Sequence, residues 1–439
     1  MGRSEIDICI SPTRGHAYLN TLWINGYSGG YPRGGGIKKI KLILRGTAAM
    51  AELSEANLSR GSFALLCLIC ASFLISSIFP RPLGYLAVAG SLVAVCLWLI
   101  SADNLEITAP KPAVGLYALV LGLMGIGTIR NPSMGAIARL AAFMAVTSLI
   151  LFLLVHVVDF TKFWRWFGLV SACLVIIASP TLFIEQMAIG PVTLTDWTTT
   201  TPIVGTNNIT SIFVNPNMLG LVCAFAIVGL VTTQQLTNLT LTIVAVNAIG
   251  LIASGGRAAQ AATVAGLGVY ATGFVYNRYA TTLVTMSALG GILYVFLALF
   301  GAVPGPELLE TVSLTGRRQL WVAAADAIAK QPLLGYGATD TTAVLNQYLG
   351  ESRFAGYTSH NSFFRMALSG GVFAAVAYLG LHIYSLFQSG SSSDGLASHA
   401  VLWVAVIAQL FNGSSIFGLS PSSILFAVAL GWALRTVVE

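Results

Sequence analysis

A small set of side chains in this sequence has the types and spacing to handle phosphate and sugar. Arg257 ends the turn Ser254-Gly255-Gly256-Arg257, Arg317 and Arg318 follow Gly316, and His360 precedes Asn361. A guanidinium donates parallel hydrogen bonds from a planar fork, the geometry that matches phosphate oxygens. A histidine takes a proton from a hydroxyl or donates to a phosphate oxygen near neutral pH. Asn215 and Asn217 flank Pro216 and offer a polar pair to a sugar or phosphate, while Tyr336 and Trp197 offer rings for stacking on sugars. Each feature also has a plainer reading. Arg257 suits an interfacial arginine reaching for water. Asn215 or Asn217 suits a helix cap. His360 suits a histidine bonded to backbone at a helix start.

The elements that must position these residues are membrane helices. The chain of 439 residues is 56% apolar and 9% charged, against roughly 25% charged in a soluble domain. A span needs about 20 apolar residues. Runs of that kind fall near 62–80, 83–101, 113–129, 135–157, 166–185, 212–232, 238–254, 258–276, 281–301, 361–388, 399–415 and 417–436. The expected fold is therefore all-α and polytopic, with about 12 transmembrane helices and one large loop, 302–360, between the ninth and tenth. Within that loop Leu320, Ala324 and Ile328 recur at helical spacing until Lys330-Gln331-Pro332. This pattern predicts an amphipathic helix suited to a membrane surface.

Residues 1–61 are Gly-rich and basic, and no apolar core precedes residue 62 except Ile40–Leu44. We expect no signal peptide there and a loosely attached or disordered cytoplasmic tail. With the tail inside, Lys111, Lys162, Arg165, Arg278 and Arg435 also fall inside, in keeping with the excess of Lys and Arg on cytoplasmic loops. Pairs of spans then separate the 186–211 loop, the turn at Arg257 and the 302–360 loop. All three must open on one face, the outer one.

Several functions are disfavoured. The acidic residues avoid the middles of the spans, whereas ion-coupled carriers usually keep an intramembrane carboxylate. There is no Gly-x-x-x-x-Gly-Lys-Ser/Thr loop for ATP. The six cysteines, Cys67 and Cys70 included, lie in apolar runs apart from Cys9, so no disulfide framework or metal site is expected, and no cofactor. The net charge of +6 comes mostly from the tail and does not point to nucleic acid.

The motifs together resemble the O-antigen ligase and polymerase superfamily of membrane glycosyltransferases related to the GT-C class. The residues that carry the resemblance are Gly316-Arg317-x-x-Leu320-Trp321, Pro332-Leu333-Leu334-Gly335-Tyr336-Gly337 and His360-Asn361 leading to Gly370-Gly371, preceded by Phe213-Val214-Asn215-Pro216-Asn217 and Ser254-Gly255-Gly256-Arg257. It covers about 190–380. One departure is that the family turn often reads Ser-Arg-Gly, while here Gly256 precedes Arg257. The resemblance implies metal-independent transfer of a glycan from a polyprenyl-diphosphate carrier to an acceptor glycan or glycolipid, outside the cytoplasmic membrane. It places Arg257, Arg317 and His360 at catalytic positions; from their chemistry and neighbourhood, Arg318, Asn215, Asn217, Asn361 and Tyr336 are expected as substrate contacts. Ligase and polymerase share these motifs. A lipid or polysaccharide transporter is the alternative outside enzymes.

Overall fold

A computed structural model of the chain describes residues 58–100, 109–184, 186–189, 192–195, 197–200, 207–306, 316–350, 352, 354–391 and 395–435. Most of the tail expected over 1–61 lies outside the described residues, as does Arg353. Each of the twelve apolar segments is helical. They are α1 (Arg60–Phe73), α2 (Arg81–Ile100), α3 (Lys111–Arg130), α4 (Met134–Val157), α5 (Phe160–Ala178), α6 (Pro216–Thr233), α7 (Asn238–Ala253), α8 (Arg257–Val275) and α9 (Arg278–Leu299). Two loop helices follow, α10 (Arg317–Lys330) and α11 (Thr341–Leu349). The last three are α12 (Ser362–Ser391), α13 (Leu396–Leu410) and α14 (Pro421–Arg435).

The starts of these helices are written locally. The side chains of Ser59, Ser133, Asp159, Asn215, Thr237, Asn277 and Asp340 each accept a hydrogen bond from a backbone N–H of the turn that follows, satisfying donors the helix leaves open. The loop before α6 forms two small antiparallel pairs, Gln186–Ile189 with Val192–Thr195 and Trp197–Thr200 with Asn207–Asn208.

Among the described residues, eight helices are long and apolar enough to cross a membrane, and four others, α1, α7, α13 and α14, are shorter apolar helices. For α13 and α14 the shorter length goes with burial. Helices α13 and α14 are enclosed along nearly their whole length, so protein rather than lipid receives the irregular backbone beyond their ends. Helices α2 and α9 instead leave Leu86, Leu97, Leu283 and Leu293 exposed, as lipid-facing surfaces do.

Contacts between loops bear on the sidedness argument. The turn after α1 bonds to the segment before α6, through Ile78 N–H to Ile212 O at 3.0 Å and Val214 N–H to Ser76 O at 3.0 Å. Ile209 N–H bonds Ala253 O at 3.1 Å, joining that same segment to the turn before Arg257. At the opposite ends of the helices Ser62 donates to Asp159 O, and Arg435 donates to Val155 O and Val158 O. These contacts agree with the counting of spans at α1, the α4–α5 turn, the start of α6, the α7–α8 turn and the end of α14.

Helix α10 does not rest on a membrane surface through its apolar face. Ala323, Ala324 and Ala327 pack with Val344 and Leu345 of α11 and Leu368 of α12, and Trp321 is buried near Phe296, Phe364 and Phe411. Protein offers the same burial that lipid would, with a fixed geometry added.

Pro332-Leu333-Leu334-Gly335-Tyr336-Gly337 is a docking segment. Helix α12 breaks at Gly371, whose φ is 80°. The groups freed by the break are taken up by the loop: Tyr336 N–H donates to Leu368 O at 2.7 Å, Gly337 N–H to Ser369 O at 2.9 Å, and Val372 N–H to Pro332 O at 2.7 Å. The same segment meets the end of α3, where Ala338 N–H donates to Thr128 Oγ1 at 2.9 Å. A Cβ on Gly371 would strike Leu333 O, and one on Gly335 would strike Leu368 O. We expect Gly371→Ala to destabilise the fold by roughly 2 kcal/mol or more, from a left-handed backbone plus a backbone collision. Gly380→Ala on the same helix meets only Leu116 methyls at ordinary contact distance. Thermal unfolding of the purified protein in detergent should show a clear drop for the first and little change for the second.

Candidate functional site

A cavity of about 130 Å³ opens where several helices begin. Asn215 caps α6, and its side chain accepts from Asn217 N–H at 2.9 Å. Asn215, Asn217 and Met218 form one wall. Ala258 and Ala259, in the first turn of α8, form a second. Arg317, the first residue of α10, forms a third, and His360, two residues before α12, completes that side. Neither α8 nor α10 has a side-chain cap. Their first-turn N–H groups and positive dipole ends therefore add to the arginine charge, the condition for holding an anion.

The turn that delivers α8 is built from its own sequence. Gly255 takes a positive φ of 63°. Ser254 Oγ donates to Leu251 O and accepts from Gly256 N–H. The second glycine thus serves as the cap residue and puts Arg257 at the first helical position. Arg257 is exposed and stands immediately before the cavity wall. It is near enough to Arg317 for the two charges to repel. Burial, and then Arg257, lower the proton affinity of the Arg317 guanidinium below its usual range. The guanidinium lies 5.8 Å from the centre of the Phe411 ring, a cation–π distance.

His360 sits in an unusual backbone, with φ of 47°. A non-glycine residue there costs about 1–3 kcal/mol and marks positions worth asking about. Burial, and then the Arg317 charge, push its imidazole from 6.5 down to about 4. It is therefore neutral at pH 7, with one ring nitrogen free to accept a proton.

The remaining sequence-predicted residues fall elsewhere. Asn361 is buried: its Oδ1 accepts from Phe363 and Phe364 N–H, and its Nδ2 donates to Leu410 O at 3.1 Å. It caps α12 and ties it to α13. Tyr336 lies behind α10, where its hydroxyl donates to Ala327 O at 3.0 Å. Arg318 points to a groove on the other side of α10. Trp197 lies in a strand of the loop before α6.

The far wall of the cavity was not expected. Ala408, Phe411 and Asn412 supply it from the end of α13. Arg365 holds this turn, its Nη1 donating to Gly413 O at 2.8 Å. Ser362 Oγ donates to Asn412 O at 2.9 Å and also to Ser414 O. One signal was available in the sequence. Arg365 is a charged residue within an apolar run, which by itself asks for a partner. Among the described residues, no group of three or more His, Cys, Asp and Glu side chains is placed to hold a metal ion.

Comparison with known families matches residues 241–379 to the model described as O-antigen ligase. That segment runs from α7 into α12 and carries Arg257, Arg317 and His360. It omits Asn215 and Asn217 on one side and Phe411 and Asn412 on the other. No curated protein matches the chain.

The state of His360 can be read directly. Its folded value lies below its ordinary one, so between 6.5 and about 4 the unfolded chain binds the proton and the fold does not. Stability is accordingly lost as pH falls through that window. We expect the ring signals of His360 in labelled protein to titrate near pH 4, and Arg317→Gln to move the midpoint upward. A midpoint near 6.5 in the wild type would contradict the burial described here.

Proposed function

We propose that this chain, with the O-antigen ligase domain it carries over residues 241–379, transfers a glycan from a polyprenyl-diphosphate carrier to a hydroxyl of an acceptor glycan or glycolipid. The observation that supports this most is the cavity itself. Helix starts, Arg317 and neutral His360 surround it, and Arg257 stands at its edge. A cavity of roughly 150 Å³ holds a molecule the size of benzene. This one, at about 130 Å³ and lined by Arg317 and His360, suits one or two phosphate groups.

The chemistry follows from charge. The bond between the anomeric carbon and the phosphate oxygen breaks, and the electron pair stays on the diphosphate. The acceptor oxygen forms the new bond to that carbon, and its proton goes to His360. Charge growing on the leaving group is met by Arg317, Arg257 and the first-turn N–H groups of α8 and α10, held in place before the reaction begins. Arrival of the diphosphate also places negative charge beside His360. That raises the histidine's proton affinity back toward neutrality, so the base strengthens when the donor is bound. The Phe411 ring, itself packed near Trp321, lies against the Arg317 guanidinium and limits its freedom to swing away.

In this reading the site faces outward from the cytoplasmic membrane, where a flipped lipid-linked glycan would meet its acceptor. Attachment of a finished glycan is the ligase form of the reaction. Repeated addition to a growing chain is the polymerase form and would use the same cavity.

We expect Arg317→Gln and Arg257→Gln to slow transfer by about 10²–10³-fold, as loss of a preorganised charge donor does. His360→Ala should cost about 10²–10⁴-fold. A strain lacking the gene, supplied with each variant at equal membrane level, gives the readout in its glycans separated by length. Full-length chains left on the carrier mark a ligase, and single repeat units mark a polymerase. Wild-type products from all three variants would remove the transferase reading in favour of a transporter.

A further inference from the structure

On the proposed reading the cavity receives the phosphate, and the sugars attached to it need contacts beyond it. On the other side of α10 a more open groove of about 510 Å³ runs between α10 and α11. It starts one residue from the cavity, because Arg317 lines one and Arg318 the other. The groove's chemistry differs from the cavity's. Arg318, Gln319 and Asp326 bring donors, a mixed donor–acceptor and an acceptor, while Val322 and Ala323 give an apolar floor and Tyr348 a ring. The cavity gathers positive charge. The groove offsets its arginine with a carboxylate, which would repel a phosphate or an anionic lipid headgroup. Side chains able both to donate and to accept around an apolar and aromatic surface complement a sugar, whose hydroxyls lie around its edge and whose C–H faces are apolar.

The aromatic is also fixed in advance. Tyr336 gives its only hydroxyl proton to Ala327 O at 3.0 Å. At the 3.1 Å contact between the two hydroxyls, Tyr348 must therefore be the donor. Tyr336, expected from the sequence to touch substrate, instead holds Tyr348 at the groove. A ring held before binding loses little freedom on binding.

We propose that the groove between α10 and α11 is a carbohydrate subsite that holds an oligosaccharide while its diphosphate-linked or acceptor end reaches the cavity. This rests on the transferase reading for its biological role but is tested by binding alone. The strain's own surface glycan, freed from its carrier by mild acid, and the oligosaccharide of the acceptor are titrated separately into the full chain in lipid nanodiscs, by calorimetry. The glycan that binds wild type and loses about tenfold or more in affinity in Gln319→Ala and in Tyr348→Ala, the loss of one good hydrogen bond or contact, names the source. Gln319 is exposed, so its removal does not threaten folding, and Tyr348→Phe should retain most of the binding. Arg317→Gln should bind glycan as wild type does.

No binding to wild type, or equal binding in Gln319→Ala and Tyr348→Ala, overturns the proposal. So does a loss confined to Arg317→Gln, which would put the sugars in the cavity, or displacement of glycan by phosphatidylglycerol in the discs, which would give the groove to lipid headgroups. If transfer survives the arginine changes while the groove variants lose glycan, the subsite stands and the transferase reading falls.

Discussion

The structure depends on a backbone junction between a loop and a broken helix. Helix α12 cannot continue its own hydrogen bonds through Gly371, and Pro332–Gly337 supplies replacements. Unsatisfied peptide groups inside a membrane protein cost several kcal/mol each, so the break and the loop require one another. The junction fixes the C-terminal end of the α10 hairpin against α12 and α3. The position of Arg317 at the opposite end of α10 is inherited from it, through a helix of 14 residues that packs on α11 and α12 along its apolar face. The glycines of the motif matter for the fit of two backbones, and the motif's catalytic value is indirect.

On that frame the site is assembled from helix beginnings. Helices α6, α8 and α10 start at the cavity, and α12 starts two residues after His360. Bringing together so many positive ends with two arginines is unfavourable without an anion. Burial first, and then like charge from Arg257 and Arg317 respectively, lower the proton affinities of Arg317 and His360. A site with like charges gathered in it gains most when a polyanion arrives, and in the proposed reaction the gain would be concentrated where charge develops on the leaving group. The groove beyond α10 carries no such excess, because Asp326 stands with Arg318 in its lining; on the proposed reading, phosphate and sugar would be recognised on two faces of one helix.

The cavity's far wall is held from within the bundle. Tyr378 donates to Gln409, whose amide donates to His382 Nε2 at 3.0 Å, while His382 Nδ1 donates to Tyr378 O at 2.9 Å. Ile416 N–H closes the set by donating to the Tyr378 hydroxyl at 3.1 Å. These buried groups have their partners, and they join α12 and α13 to the loop that carries Phe411 and Asn412. A fully satisfied buried network specifies one arrangement, here the one that presents Phe411 to Arg317.

The sequence by itself determined the class of the protein, its helices and the face on which its loops meet. Apolar runs of span length and a low charge content leave few other folds, and the parity of spans is a matter of counting. Caps such as Asn215 and the turn glycine Gly255 are local choices, legible without neighbours. Arg257, Arg317 and His360 could be singled out because charge is scarce in this chain. What only the tertiary structure decided is which polar residues share the cavity. Asn361 looks like a substrate contact beside His360 but turns inward to cap its own helix, because a buried amide is satisfied first by the nearest backbone. Tyr336 and Arg318 lie on faces of the α10 hairpin that no spacing rule orders relative to the cavity. Phe411, Asn412 and Arg365 reach the site through contacts some 50 residues apart in the chain. Such contacts are set by how helices cross, and helix crossing is a property of packed surfaces rather than of any one stretch of sequence.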